Sequence, residues 1–430
     1  MIKIAFVGAN SIEFCRSDLV DLCGLSELGE LEFALFDTHA ELLGRVTELA
    51  RLTVERTGAT AVVRAHEKRA EALAGADYVV TELEVGGVAA TCVDLDLPAR
   101  YGVRQPSVDT LSIGGIFRGA RTLPVMIELA RDMAEHCPEA CLLSYTNPMA
   151  MSVSAVHEAT PLRNVFGLCH SVRETHELLA GLAGKPAGDI DFLTAGFNHQ
   201  AFVLRFEHAG RSLYPLIEEA LSAAAEKTPG MRLAAELYRR FGYFPTSPEG
   251  TAEYFPWIMR HDRETERLGA RIDNGTDRAA DHRRQWETLA RDVAAGDAGP
   301  LDPTDELAAR FIHSLETGTE REIHATVRNG GLIPNLPDDA CVEVPCRVDA
   351  AGATPTAVGP LPPQLAALNR TFLNVTELTV RGVLTGSRDH LRQAALLDPN
   401  TSATLPMPAI EALCEELFAA HADRLPDTLR

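Results

Sequence analysis

The sequence predicts an α/β protein: a doubly wound parallel sheet through the first 190 residues, then an α+β region to the end of the chain. Three observations carry this. The 430 residues suit two domains or one elaborated unit. Short apolar runs without clean alternation, each ending at Gly, Asp, Asn or Cys, recur through the first 170 residues with helical periodicity between them, as strands covered on both faces require. Beyond residue 190 the texture turns to alternating strands, tight turns and long helices.

The runs come in order. Ile2 to Val7 ends at Gly8, and Leu31 to Phe36 ends at Asp37. Ala76 to Val80 follows. Ala140 to Tyr145 runs into Thr146-Asn147-Pro148-Met149, and Val165 to Leu168 into Cys169-His170. Leu42 to Val54 and Thr122 to Ala134 show helical spacing, which completes the βαβ alternation. Residues 191–208 read as strand, an Asn198-His199 turn and a returning strand, closing at Ala209-Gly210. Leu213 to Arg240 reads as helix, as does Asp305 to Leu315 with Thr304 or Asp305 as its cap. Glu322 to Arg328 and Cys341 to Val348 read as strands around Asn329-Gly330-Gly331. Ala350 to Pro363, rich in Pro, Gly and Ala, is expected to be an irregular connector. Leu365 to Arg381 and Met407 to Ala420 are helices. The expected division is residues 1–190 and 191–430.

Composition excludes several classes. The apolar fraction of 46% and charged fraction of 23% are ordinary for a globular chain. A net charge of −21 opposes a phosphate backbone, so neither nucleic acid nor an anionic membrane is an expected partner. No apolar stretch reaches membrane-spanning length. The N-terminus enters a strand directly without a leader-like pattern, and nine scattered cysteines lack CxxC spacing. These features suit a reducing compartment, and a cytoplasmic location is expected.

Two constellations carry chemistry. Gly8-Ala9-Asn10-Ser11 follows the first strand and opens a helix, where a pyrophosphate rests on backbone N–H groups; an ordinary βα turn has the same outline. Asp37, ending the second strand, is placed either to accept from an adenosine ribose or to cap a helix; with Gly8 it favours NAD over NADP. The second constellation is Cys169-His170 at one strand end with Asn198-His199 thirty residues on. A thiolate and an imidazole can hold a divalent ion with open positions, or be packed core groups.

The run of motifs resembles glycoside hydrolase family 4, the NAD-dependent glycosidases, and within it the α-galactosidase-like subgroup. The resemblance is carried by Phe6 to Ser11, Asp109-Thr110-Leu111, Gly114-Gly115-Ile116, Arg118, Tyr145 to Met149, Gly167 to Val172, Gly196 to His199, Glu253 to Trp257 and Val327-Arg328-Asn329. Cys169-His170-Ser171-Val172 distinguishes the subgroup. The resemblance implies a Rossmann-like domain followed by a substrate and oligomerisation domain, lactate/malate dehydrogenase-like. It implies hydride abstraction from sugar C3, deprotonation at C2, elimination of the aglycone, water addition and return of the hydride, a route outside the two-carboxylate scheme.

It also implies residue roles. NAD would be held by Gly8, Ala9, Asn10, Ser11, Asp37 and Glu82, and Mn²⁺ or a similar ion by Cys169 and His199. The sugar would be held by Asn147, Arg118, Asn198 and Arg328, with a cis Asn147–Pro148 bond. His170 would serve the leaving group, Tyr254 the C2 proton, and Asp109 the sugar or nicotinamide side. A homodimer or homotetramer is implied. Two positions depart from the subgroup: Gly250 stands where a histidine is usual, with Glu249 beside it, and Ser112 where a glycine is usual. The implied substrate is an α-galactoside; a C6-anionic α-glycoside is the alternative within the family, and a 2-hydroxy-acid dehydrogenase the alternative outside it. Cys341 and Cys346 are expected in the core, His324 as a packed histidine rather than a third ligand, and Trp257 with Phe255 as an apolar wall or subunit contact.

Overall fold

The structure, a computed structural model, describes all residues except 9–11 and 248–249, and it does not describe the side chains of residues 12–14 and 229. Its strands are β1 (Ile2–Val7), β2 (Leu31–Phe36), β3 (Ala61–His66), β4 (Tyr78–Thr81), β5 (Cys141–Ser144), β6 (Val165–Gly167), β7 (Asp191–Phe197), β8 (Gln200–His208), β9 (Arg211–Ser212), β10 (Phe244–Pro245), β11 (Arg321–Arg328), β12 (Cys341–Asp349) and β13 (Gly352–Pro355). All lie in one sheet in the order β10-β8-β7-β12-β11-β6-β5-β4-β1-β2-β3, with β13 on β12 and β9 on β8.

Six strands, β6 to β3, are parallel. Their order 3-2-1-4-5-6 is that of a dinucleotide-binding sheet, which opens a crevice beyond its carboxyl ends. The apolar runs explain them: β4 is buried at every residue because helices cover both faces. Strand β3 (Ala61–His66) escaped the sequence reading because it is the half-exposed edge, and its polar residues break the apolar run. Beyond β6 the pairings become antiparallel.

The two parts join along one transverse row. Gly167 of β6 pairs Thr326 of β11, Thr326 pairs Glu343 of β12, and Glu343 pairs Gly196 of β7. Gly196 has φ of +150°, and a Cβ there would lie 2.6 Å from the Gln200 carbonyl oxygen. Only glycine tolerates that approach.

Three expectations need correction. The stretch Ala350 to Pro363 contains β13, an edge strand antiparallel to β12. The helical stretch from Leu213 to Arg240 is two helices, Tyr214–Lys227 and Pro229–Phe241, because Pro229 cannot donate the bond that would continue the first. The helix Leu307–Thr317 is capped by neither Thr304 nor Asp305. Glu306 is its N-cap, and Asp305 adopts φ of +58°.

Ser112 also has positive φ, +60°, which accounts for the glycine usual there. Its N–H donates to Asp398 at 3.0 Å and its hydroxyl accepts from Asn400 at 3.1 Å. Ser112 is buried and lies outside the cavity lining described below.

The C-terminus is tied to the crevice by buried charge. The Arg121 guanidinium lies 2.6 Å from Asp94, whose other oxygen is 2.8 Å from His421 Nε2; the side chains of all three have no solvent exposure. Arg121 also donates to the Val85 carbonyl at 2.8 Å. Removing one partner of such a group strands a charge in the interior. Arg121→Met is therefore expected to lower unfolding free energy by about 3–5 kcal/mol, measured by urea denaturation; a loss under about 1 kcal/mol would mean that the group contributes no more than a surface pair.

Candidate active site

A cavity of about 680 Å³ opens at the carboxyl ends of the parallel strands. Seven of the residues to which the resemblance gives site roles line it: Glu82 after β4, Asp109 and Arg118, Asn147 after β5, Cys169 and His170 after β6, and His199 from the β7–β8 turn. Strand ends supply most of them, because backbone pairing stops there and side chains are released into the crevice.

The centre is a contact between Cys169 Sγ and His199 Nε2 at 3.3 Å. His199 adopts φ of +63°, an uncommon conformation for a side-chain-bearing residue. The other ring nitrogen, Nδ1, is 2.9 Å from the Thr110 hydroxyl and 4.0 Å from the Asp109 carboxylate, which orients the ring as an outer partner orients a ligand histidine. Burial pushes the Cys169 thiol up, but the His199 charge and hydrogen bonds from His199 and Ser171 bring it down to about 6. Burial likewise opposes the charge of His199, yet Cys169 and Asp109 raise it to about 10. Asp109 is held below the usual carboxylate range despite burial, by His199 and Arg118. The protein alone thus holds a thiolate and an imidazolium side by side.

This donor set fits a divalent ion. Among the described residues no third His, Cys, Asp or Glu joins a metal-holding group, so an ion held by Cys169 and His199 keeps positions for a ligand's oxygens, as an open Lewis-acid site does. Polar atoms around the cavity await partners: Asn147 Oδ1 and Arg118 Nε are buried with no hydrogen bond among the described residues. The Asn147–Pro148 peptide is cis.

The dinucleotide fit rests on Gly8. Its φ is +86°, and a Cβ would lie 2.6 Å from the Glu82 carbonyl oxygen and 2.8 Å from Leu83, so only glycine fits at this strand end. Ala9, Asn10 and Ser11 lie outside the described residues. Asp37 accepts from the His39 N–H at 2.7 Å, while His39 is the N-cap of the following helix, Ala40–Thr57. The carboxylate therefore orders the cap without being it.

Three expected residues stand elsewhere. Tyr254 is 2% exposed and outside the lining. Its phenol is hydrogen-bonded to Thr110, and burial with the charges of Asp109 and Glu253 pushes it well above the ordinary tyrosine range. Asn198 turns into the sheet, where its Nδ2 donates to Glu343 at 3.3 Å. Arg328 is exposed at the far end of β11. Because β11 runs antiparallel to β6, its C-terminus points away from the crevice. His324 and Trp257 are also outside the lining; burial lowers His324 to about 4, and Trp257 is 52% exposed.

Sequence reasoning missed three features. Glu306, 4% exposed, lies 2.5 Å from His170 Nε2 and raises that imidazole despite burial. Glu343, 1% exposed, sits beside the central pair; burial and the Cys169 charge push it up to about 8. A lone acid within the apolar strand Cys341 to Val348 was the available signal. The helix Gly275–Ala294 contributes Arg278, Asp281, His282, Gln285 and Trp286 to the cavity, a spacing that marks one helix face. Gly250 lines the cavity, and a Cβ there would meet only Ser247 Oγ at 3.7 Å, so the missing histidine leaves room. Glu249 lies outside the described residues.

The charge pair makes Cys169 the reactive thiol, since burial raises each of the other eight. In metal-free protein its alkylation by iodoacetamide should rise with pH to a plateau with a midpoint near pH 6, matching the thiolate population at about 6. His199→Ala should move that midpoint upward. A wild-type midpoint above pH 8 would contradict the paired charge, as read by mass spectrometry of the labelled peptide.

The chain is similar to known proteins along most of its length. Residues 3–184 match the family description "Family 4 glycosyl hydrolase", and residues 194–401 match "Family 4 glycosyl hydrolase C-terminal domain". An alpha-galactosidase of Bacillus subtilis (strain 168) is 36% identical over 431 residues, covering 99% of this chain and 100% of that protein. One from Rhizobium meliloti (strain 1021) is 33% identical over 440 residues, covering 99% and 89%. Among solved structures, a 6-phospho-alpha-glucosidase from gut microorganisms, in complex with NAD and Mn²⁺, matches with a TM-score of 0.83 at 20% identity, covering 99% of both chains; that likeness speaks for the fold. With both family descriptions matched in order along one chain, and the thiolate–imidazole pair at its crevice, the protein is a glycosidase of glycosyl hydrolase family 4.

Proposed function

We propose that the protein hydrolyses α-galactosides, using NAD⁺ and Mn²⁺ or a similar divalent ion. The observation that carries this reading is the Cys169–His199 pair at 3.3 Å on the wall of a cavity that Asn147, Arg118 and His170 share. The galactose preference is supported by the two α-galactosidases that the chain resembles along its length. When bound, the dinucleotide supplies reversible hydride abstraction at sugar C3 and the ion supplies Lewis acidity toward the oxygens on C2 and C3.

The chain's own residues do the rest. Gly8 and its turn receive the pyrophosphate, and Asp37 and Glu82 contact the cofactor. Cys169 and His199 hold the ion. Asn147 and Arg118 orient the sugar with the polar atoms that lack hydrogen-bond partners among the described residues, since a buried unpaired group favours a ligand that satisfies it. His170 delivers a proton to the departing oxygen. Asp109 keeps His199 oriented and faces the sugar. All nine cysteines are free and no helix among the described residues is long and apolar enough to cross a membrane, which supports a cytoplasmic setting in which Cys169 stays reduced.

The test is to incubate reduced protein with NAD⁺, Mn²⁺ and a panel of p-nitrophenyl α-glycosides that includes the galactoside, glucoside and galacturonide. Release should be fastest from the galactoside, with no net absorbance of NADH. Release from none would refute the reading; NADH accumulating in step with substrate would make the protein a dehydrogenase.

We assign removal of the C2 proton to Tyr254, which lies behind the cavity wall and is hydrogen-bonded to Thr110, the residue that also contacts His199. Its raised phenol requires the positive charge of a bound ion to form the phenolate. Tyr254→Phe should slow turnover about 10²- to 10⁴-fold with NAD⁺ affinity retained. Activity within about threefold of wild type would instead give the role to Asp109, the ionised carboxylate on the cavity wall.

A further inference from the structure

We propose that Glu306 is the positioning residue for His170: its carboxylate holds ring Nε2 from the protein side, so that Nδ1 is the nitrogen that serves the glycosidic oxygen. The proposal rests on the leaving-group role assigned to His170 above.

The geometry converges on one oxygen. Glu306 Oε1 lies 2.5 Å from His170 Nε2 and accepts from the Tyr145 hydroxyl at 2.8 Å and from the Leu307 N–H at 3.1 Å. Tyr145 stacks on the imidazole with centroids 5.8 Å apart and planes 9° apart, and its hydroxyl accepts from the Ala308 N–H at 2.9 Å. The ring is therefore clamped on one face by Tyr145 and on one edge by Glu306, both of which are bonded to N–H groups in the first turn of the helix Leu307–Thr317. An ionised carboxylate can only accept, so Nε2 carries its hydrogen toward Glu306.

Glu306 is itself anchored. Its N–H donates to Asp21, which also accepts from the Thr304 N–H at 2.7 Å and hydroxyl at 3.0 Å. Asp21 belongs to the helix Ile12–Gly24 that follows the Gly8 turn. One chain of contacts thus runs from the helix after the cofactor turn, through Asp21 and Glu306, to the histidine on the cavity wall.

In the elimination step the electron pair left at C2 by removal of its proton forms the C1–C2 double bond as the bond between C1 and the departing oxygen breaks, and that oxygen takes the electron pair of the broken bond and the proton from Nδ1. The ring is left neutral with its hydrogen on Nε2, still held by Glu306. The same relation of carboxylate, imidazole and reacting oxygen governs hydrolytic triads, where the acid fixes tautomer and orientation.

Glu306→Gln is the informative variant, because its amide oxygen can keep the Tyr145 and Leu307 bonds while the charge is lost. Expected for Glu306→Gln is a fall in kcat of about 10²-fold on methyl α-galactoside, whose leaving group needs protonation. The fall on p-nitrophenyl α-galactoside should stay under about tenfold. KM, NAD⁺ affinity and Mn²⁺ affinity should stay within about threefold of wild type. His170→Asn/Glu306→Gln should be no slower than His170→Asn, since residues acting as a unit are not additive. Equal losses on both substrates, additive losses in the double variant, or loss of NAD⁺ binding with activity would each overturn the proposal. Silence of the wild-type protein on both galactosides would instead fail the glycosidase reading. The ring geometry is read independently from ¹⁵N shifts of wild-type His170, assigned against His170→Asn and recorded where the ring is neutral. A hydrogen on Nδ1 rather than Nε2 would overturn the proposal whatever sugar is cleaved.

Discussion

The site depends on one contact, Cys169 Sγ against His199 Nε2 at 3.3 Å, and that contact depends on how the sheet is joined. The two residues follow β6 and β7, strands that are not neighbours: β11 and β12, formed more than a hundred residues later, lie between them. The row Gly167, Thr326, Glu343 and Gly196 is the line along which the parallel and antiparallel parts meet. Glycine at both outer positions lets the backbones crowd; at Gly167 a Cβ would lie 2.7 Å from Met149 and 3.0 Å from Thr326. The reactive pair sits directly beyond this row. The late strands therefore do chemical service without facing the cavity, since without them the thiolate and the imidazole would belong to separate sheets.

A second regularity is that the reactive side chains are each held from behind. His199 has Thr110 on its other nitrogen, His170 has Glu306, and the Asn198 side chain beside His199 is tied to Glu343. Buried polar groups need such partners to offset lost hydration, and the same partners set direction. Electrostatically, the pair is self-sustaining: the thiolate raises the imidazole and the imidazolium lowers the thiol. An ion held by Cys169 and His199 would require the imidazole in its neutral form, so its binding would be linked to proton release. In a chain with a net charge of −21 the cavity is nevertheless lined by three arginines, Arg118, Arg271 and Arg278.

Ser112 shows how a departure from a family pattern is absorbed. A left-handed backbone that glycine adopts freely is here imposed on serine, and buried Asp398 and Asn400 bind its N–H and hydroxyl. The substitution is answered in the scaffold and not in the cavity. Gly250 is the opposite case, because it lines the cavity and, among the described residues, a Cβ there would meet only Ser247 Oγ at ordinary contact distance.

By itself the sequence determined the parallel sheet and the glycine at its first strand end, and its motifs, through their resemblance to a family, singled out the Asn147–Pro148 corner, Cys169 and His199. The sheet and the glycine are written locally, in apolar run length and residue type; that Cys169 and His199 meet required the late strands to join the sheet. Tertiary structure alone decided the rest. Glu306 and Glu343 reach the site from distant segments, and neither spacing nor residue type marks a partner that far along the chain. Arg328 and Asn198 are drawn away because strand direction and a turn's backbone geometry, which motifs do not encode, settle where a side chain points. The wall built from Gly275–Ala294 was equally hidden, since its polar face resembles any solvated helix until another part of the chain is folded against it.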